Sequence, residues 1–144
     1  MMGKLQDFLL NNKPQAAGEI EVVVSKRFLD KDGAPIPFKI RAISEAENKK
    51  IRNSCQRTTI NKKTHQKETE TDTNAYMNKI VIESTVDPNF KDASLQEKMG
   101  VMGAEALLDT LLLPGEYAEL LAAVQEVNGF NDDFDDLRAE AKNS

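Results

Sequence analysis

The sequence predicts an α+β fold in which an N-terminal β-hairpin packs on a small bundle of four to five helices. Apolar and polar residues alternate in two short stretches, 20–24 and 36–42, which is the pattern of half-buried strands. From residue 72 to residue 130, apolar residues instead recur at helical spacing, and capping residues separate the segments. A chain of 144 residues, 40% hydrophobic and 30% charged, is long enough to bury a modest core.

The first segment, residues 4–11, carries an apolar stripe of Leu5, Phe8 and Leu9. A helix of two turns is not stable alone in water, so this segment is expected to dock on another surface. Two alternatives stay open. The segment docks on its own domain, or it binds a neighbouring copy or another protein.

Residues 19–42 are expected to form the β-hairpin. Its turn is the sequence DKDG at residues 30–33, where Gly33 can adopt a positive φ. Pro35 and Pro37 cannot donate ladder hydrogen bonds, so the second strand is expected to begin at an open edge of the sheet. The alternating apolar side chains of the two strands are Ile20, Val22, Val24, Ile36, Phe38, Ile40 and Ala42.

A helix is predicted directly after the second strand, because Ser44 and Glu47 form a capping box. Ile51 and Cys55, one turn apart, give this helix a thin apolar face, and it is expected to end near Arg57. Cys55 is therefore expected to be a buried, inert thiol.

Residues 58–71 are polar and leave two alternatives, an exposed mobile loop or a hairpin around residues 61–65. Residues 49–67 hold seven basic residues and no acidic one. Clustered positive charge attracts phosphate, but this segment lacks the aromatic residues on which bases stack. The cluster therefore supports only an alternative function, that of a small adaptor for nucleic acid or an acidic protein.

Two further helices are expected between residues 72 and 103. Asp72 is the predicted N-cap of the first helix. The β-branched run 80–82 is also compatible with a strand, so that alternative stays open. A capping box at Ser94 and Glu97 predicts the second, after which two glycines are expected to loosen the chain. The apolar faces are Tyr76, Met77, Ile80 and Val81 in the first helix, and Leu95, Met99 and Met102 in the second.

The densest apolar pattern, within residues 94–130, predicts an antiparallel helix pair at the centre of the core. Pro114 is expected to end the first helix and to form a turn with Gly115, and Gly129 to end the second. Leu121 lies mid-stripe and is expected to be a core residue. The two stripes are Leu107, Leu108 and Leu111, then Tyr117, Leu120, Leu121, Val124 and Val127.

No arrangement of residues predicts catalysis, a metal or a cofactor. His65 is the only histidine, and a zinc site needs three or four ligands. The pair Glu68 and Glu70 is better explained as solvated, and the GxxG at residues 100–103 lacks the basic residues of a nucleic-acid clamp. We therefore expect a protein that is not an enzyme.

Charge and hydropathy favour a cytoplasmic protein that binds neither nucleic acid nor membrane. The net charge is −5, and no apolar run approaches the ~20 residues of a membrane span. A single cysteine suits a reducing compartment. The predicted parts are a docking segment and linker at 1–18, one α+β domain at 19–130, and an acidic tail at 131–144 that is expected to be disordered.

Seven short segments, spread in order over nearly the whole chain, carry a family resemblance. They are DFLL at 7–10, SKRF at 25–28, FKIRAIS at 38–44, DPNFKD at 87–92, GV at 100–101, LLPGEY at 112–117 and NGF at 128–130. In these segments the chain resembles the XkdN-like family of phage tail assembly chaperones, which phages and defective prophages of Gram-positive bacteria encode.

The resemblance implies a cytoplasmic protein of the bacterial host, absent from the mature virion, that binds the helical tape measure protein and helps tail tube subunits gather on it. It implies no catalytic residues. A chaperone that coats a long client benefits from many copies, so a homo-oligomer is expected. Adaptable apolar side chains suit such binding. The candidate partner-binding residues are Leu5, Phe8, Leu9, Met77, Met99 and Met102.

Overall fold

The computed structural model describes residues 3–14 and 18–130 and has an α+β architecture, as predicted. The predicted acidic tail, residues 131–144, lies outside the described residues, and the division into three parts stays a prediction. The elements are α1 Lys4–Asn11, β1 Ile20–Val22, β2 Phe38–Ile40, α2 Glu45–Ser54, β3 Gln56–Ile60, β4 Lys67–Thr71, α3 Thr73–Ser84, β5 Thr85–Asp87, α4 Ala93–Lys98, α5 Ala104–Leu111 and α6 Pro114–Val127.

The N-terminal hairpin is confirmed, and a third strand joins it. In the sheet β1-β2-β5, Ile20 of β1 lies opposite Ile40 of β2, and Thr85 of β5 pairs with Ile40 from the other side. Strand β5 pairs with Lys39 and Ile40, so this part of the second strand is not an open edge. The open edge was expected at the beginning of the strand, residues 35–37, which lie before this pairing. Pro37 does not interrupt the ladder, since it lies one residue before β2.

The hairpin turn is formed by local hydrogen bonds. The Asp30 Oδ1 atom accepts from the Asp32 N–H at 2.8 Å and from the Ala34 N–H at 3.0 Å. Gly33 has a φ of 81°, as its position in the turn requires. The turn sequence therefore acts as predicted.

Helix α2 begins as predicted, with the Ser44 Oγ atom accepting from the Glu47 N–H at 3.1 Å. It ends at Ser54 rather than near Arg57, because Gln56 already begins β3. Cys55 is buried, as expected.

Residues 56–71 adopt the hairpin alternative, with β3 and β4 antiparallel and Arg57 opposite Glu70. Every residue of the two strands is exposed. The Asp72 N–H donates to the Cys55 carbonyl at 2.8 Å and closes the base of the hairpin.

Helix α3 lies at the centre of the core, so the prediction that the helix pair around Pro114 holds this position is wrong. Asp72 caps α3 as predicted, and the run 80–82 is helical and buried. Helices α2, α5 and α6 all pack against α3. The core side chains are Val24, Phe38, Ile40, Ile80, Val81, Ile82, Phe90, Leu107, Leu108, Leu112, Leu120 and Val124.

Three local expectations about the last helices need correction. Pro114 begins α6 instead of forming the turn, because its fixed φ and missing N–H suit the first helical position. Leu121 is only half-buried. Asp92, not Ser94, caps α4, since the Asp92 Oδ1 atom accepts from the Leu95 N–H at 2.9 Å. The end of α6 before Gly129, whose φ is 78°, is confirmed.

Candidate functional site

Helix α1 presents an uncovered apolar stripe. None of its residues is buried, and Leu5, Phe8 and Leu9 keep 69%, 44% and 52% of their surfaces exposed. The structure thus does not show α1 docked on its own domain, which was one of the two alternatives. The stripe is available to another molecule.

A cleft of about 550 Å³ lies where α2 and α3 meet the start of α5. We call it the Met102 cleft and define it by Lys50, Ile51, Lys79, Ile82, Lys91 and Met102. Ile82 is buried and Ile51 half-buried, so they form its apolar inner wall. Met102 is 93% exposed, which is unusual for a large apolar side chain.

The loop that carries Met102 is fixed by Gln96, a residue without any signal in the sequence pattern. The Gln96 Nε2 atom donates to the Phe90 carbonyl at 2.9 Å, and its Oε1 atom accepts from the Gly103 N–H at 3.0 Å. The expectation that glycines loosen the chain here is therefore wrong. Gly103, with a φ of 97°, allows a defined bend instead.

The rim of the Met102 cleft carries lysines and two carboxylates. Lys91 forms an ion pair with Glu83, and the Lys79 Nζ atom donates to the Ser54 Oγ atom at 3.1 Å. Lys50 is the third lysine, and Glu105 the second carboxylate. The rim therefore has a small excess of positive charge.

The other two methionines among the candidate partner-binding residues, Met77 and Met99, do not line the Met102 cleft. Met77 is half-buried and lines a separate pocket of about 70 Å³ between α3 and α6, together with Leu121. Met99 follows α4 and is exposed, but it does not line the Met102 cleft. The six candidate residues thus lie in at least three places.

A second apolar depression, of about 220 Å³, lies between the N-terminal sheet and the helices α4 and α5. We call it the Phe28 groove and define it by Phe28, Ile36, Phe38, Pro88, Leu95 and Leu111. The Phe28 and Phe38 ring centroids are 6.1 Å apart. Sequence reasoning missed this groove because β5, which brings Pro88 beside β2, was not predicted.

Arg27 and Glu116 hold the Phe28 groove in shape. The Arg27 Nε atom donates to the Glu116 carboxylate at 3.0 Å, and its Nη2 atom donates to the Leu111 carbonyl at 2.8 Å. The Arg27 guanidinium lies 5.1 Å from the centroid of the Phe28 ring. Hydrogen bonds from Arg27, then from Ser25 and from a backbone N–H, lower the Glu116 pKa to about 2.

The basic segment at residues 49–67 meets carboxylates in the folded chain. Strand pairing places Glu70 opposite Arg57 and Glu68 opposite Thr59. Arg52 lies 3.8 Å from a Glu45 oxygen. The positive charge is therefore less concentrated than the sequence indicates, and the absence of nucleic-acid binding stays a prediction.

The described residues contain neither a cluster of metal ligands nor a helix that could span a membrane. Residues 3–14 and 18–130 contain no group of three or more His, Cys, Asp or Glu side chains placed to hold a metal ion. Across the same residues, the helices are too short or too polar to span a bilayer. His65 lies at the tip of the β3–β4 hairpin with a φ of 57°.

A family model of the phage XkdN-like tail assembly chaperone protein matches residues 5–142. Two proteins of Bacillus subtilis (strain 168) are each 36% identical over 144 residues. The alignment covers 94% of this chain in both cases. It covers 91% of the uncharacterized protein YqbN and 92% of the phage-like element PBSX protein XkdN. The crystal structure of the protein YqbN matches with a TM-score of 0.70 at 30% identity, over 86% of this chain and 95% of that chain.

Proposed function

Because the chain belongs to the family of phage XkdN-like tail assembly chaperones, we propose that it is a non-enzymatic chaperone and scaffold that binds the tape measure protein. In this role it keeps the client soluble in the host cytoplasm and helps to recruit tail tube subunits. It leaves before the virion is complete.

The exposure of Met102 above the Met102 cleft is the observation that carries the proposal. Gln96 holds the loop in place, so the side chain stays in water while the isolated chain is folded. Burying a Met side chain is worth about 1.5–3 kcal/mol, and its flexibility allows it to pack against varied partners. A cleft between helices with such a residue at its rim suits the apolar stripe of a client helix.

The lysines around the cleft favour acidic residues beside that stripe. Lys91 is already paired with Glu83, so the rim adds little binding energy in water. Its charge acts mainly on the rate and orientation of association. We therefore expect client helices with Asp or Glu flanking an apolar face.

Co-expression with the tape measure gene of the same phage or prophage tests the proposal. We expect the tape measure protein to be soluble and to co-purify with the tagged chaperone. Met102→Glu should lower the co-purified amount about tenfold, because a carboxylate cannot enter the apolar contact. Ile60→Glu is the matched control, since Ile60 is also exposed but lies on the β3–β4 hairpin.

An equal loss with both variants, or none with Met102→Glu, would exclude the Met102 cleft as the client site. Recruitment of tube subunits predicts that tail tube protein co-purifies only when the tape measure protein is present. A mobility shift with phage DNA tests the adaptor alternative. Sub-micromolar binding that Lys62→Glu and Lys63→Glu abolish would favour that alternative instead.

A further inference from the structure

Met102 is the most exposed methionine in the described part of the chain. It keeps 93% of its surface in contact with water, whereas Met99 keeps 37% and Met77 is half-buried. Peroxides oxidise the thioether sulfur of methionine, and an exposed sulfur is oxidised before a buried one. Among the methionines of residues 3–14 and 18–130, Met102 is therefore the one that an oxidant reaches first.

Hydrogen bonds on both sides of Met102 keep it in this exposed position. The Gly103 N–H donates to the Gln96 Oε1 atom at 3.0 Å, and the Val101 N–H donates to the Gln96 carbonyl at 3.0 Å. Val101 also packs against the core. Because both neighbours of Met102 are bonded to Gln96, the loop does not turn the Met102 side chain into the protein.

Oxidation adds one oxygen atom to the Met102 sulfur. The sulfur gives two electrons to the O–O bond of hydrogen peroxide, one peroxide oxygen stays on the sulfur as a sulfoxide, and the other leaves as water. The product is a polar, chiral side chain in place of a flexible apolar one. Methionine sulfoxide reductases reverse the step with two thiols, which become a disulfide while the oxygen leaves as water.

We propose that Met102 is a peroxide-sensitive modification site whose sulfoxide prevents the client from binding in the Met102 cleft, a proposal that rests on the function given above. The apolar inner wall of Ile51 and Ile82 stays unchanged. The sulfoxide oxygen at the rim, however, loses its water against the apolar stripe of a client helix. Met102 does not belong to the core, so the modification changes binding and leaves the fold intact.

Timed treatment of the full chain with hydrogen peroxide, followed by peptide mass spectrometry, tests the selectivity of the modification. We expect Met102 to be oxidised at least about twice as fast as Met99, and faster still than Met77, in the order of their exposure. The Tm of the treated protein should stay within about 2 °C of the untreated value, because a change at an exposed side chain costs little stability. Oxidation of Met102 no faster than that of Met77 would overturn the proposal.

Client retention tests the effect of the sulfoxide on binding. The tape measure protein is supplied as its complex with untagged chaperone, and tagged chaperone on a resin competes for it. Peroxide-treated wild type should retain about tenfold less tape measure protein than untreated wild type. Met102→Leu should retain the same amount before and after treatment, because Leu has a similar volume but no sulfur. Met99→Leu is the matched control and should be as sensitive as wild type.

The outcomes separate this proposal from the proposed function. If wild type retains as much client after treatment as before, the role of the sulfoxide is wrong and the proposed function stands. If treatment affects Met102→Leu as strongly as wild type, another group is responsible, such as the buried thiol of Cys55, and the assignment to Met102 is wrong. If untreated wild type retains no client, both fail. Methionine sulfoxide reductases should restore retention, and a loss that they do not reverse would also refute the proposal.

Discussion

Leu120 and Leu121 are adjacent in α6, and replacing each by Ala tests where the core lies. The two substitutions have the same chemistry and the same effect on helix propensity. Leu120 is 0% exposed and belongs to the core around α3, whereas Leu121 is half-buried beside the small pocket with Met77. The comparison therefore isolates burial.

Leu120→Ala should cost about 3–5 kcal/mol, because it removes a fully buried side chain and leaves a cavity among packed neighbours. Leu121→Ala should cost about 1–2 kcal/mol, since part of its side chain already contacts water. For a domain of roughly this size, 1 kcal/mol corresponds to about 4 °C in Tm. The expected decreases are about 12–20 °C for Leu120→Ala and about 4–8 °C for Leu121→Ala.

Urea unfolding followed by far-UV circular dichroism measures both costs, and unchanged m-values check that unfolding remains two-state. Equal costs, or a larger cost for Leu121→Ala, would refute the assignment. That result would mean that α6 is rotated on α3 and that Leu121 is the core residue the sequence pattern predicts.

Two further predictions concern polar contacts between distant segments. The Glu116 pKa is lowered from 4.5 to about 2, so ionised Glu116 stabilises the fold above pH 4.5, and this contribution is lost as the pH falls from about 4.5 to about 2. The stability difference between wild type and Glu116→Gln should therefore be largest near neutral pH and vanish near pH 2 in urea titrations; a difference independent of pH would contradict this. Asn128→Ala should cost about 1–3 kcal/mol by urea unfolding, because the Asn128 side chain accepts from the Ile43 N–H at 2.8 Å and donates to Ser84 at 3.1 Å. A cost below about 0.5 kcal/mol would show that water replaces these bonds.

The sequence predicts well those features that depend on neighbouring residues. The caps at Ser44 and Asp72 are correct because a side-chain oxygen and the N–H three residues later meet by local geometry. The hairpin turn at residues 30–33 is correct for the same reason. Local rules alone are sufficient at these positions.

The sequence pattern does not indicate features that depend on contacts between distant segments. Strand β5 has three residues and no pattern of its own, and only its pairing with β2 makes it a strand. Asp92 and Ser94 are both good caps, and the sequence does not decide between them.

The candidate site also combines features that the local sequence predicts with features that depend on distant contacts. Met102 was identified by residue type, but its exposure depends on the contacts of Gln96 with Phe90 and Gly103. The Phe28 groove requires β5, so no sequence pattern indicates it.

The β3–β4 hairpin is a suitable place to attach a label to this chaperone. The hydrogen bond between Asp72 and Cys55 closes the base of the hairpin. The Tyr76 hydroxyl donates to Asn48 and links α3 to α2, and this contact does not involve the hairpin. Since both strands are exposed, the tip at residues 61–66 should tolerate an inserted epitope or fluorophore tag with little change in stability. A label there leaves α1, the Met102 cleft and the Phe28 groove unaltered. Tail assembly and the release of the client can then be observed on the intact protein.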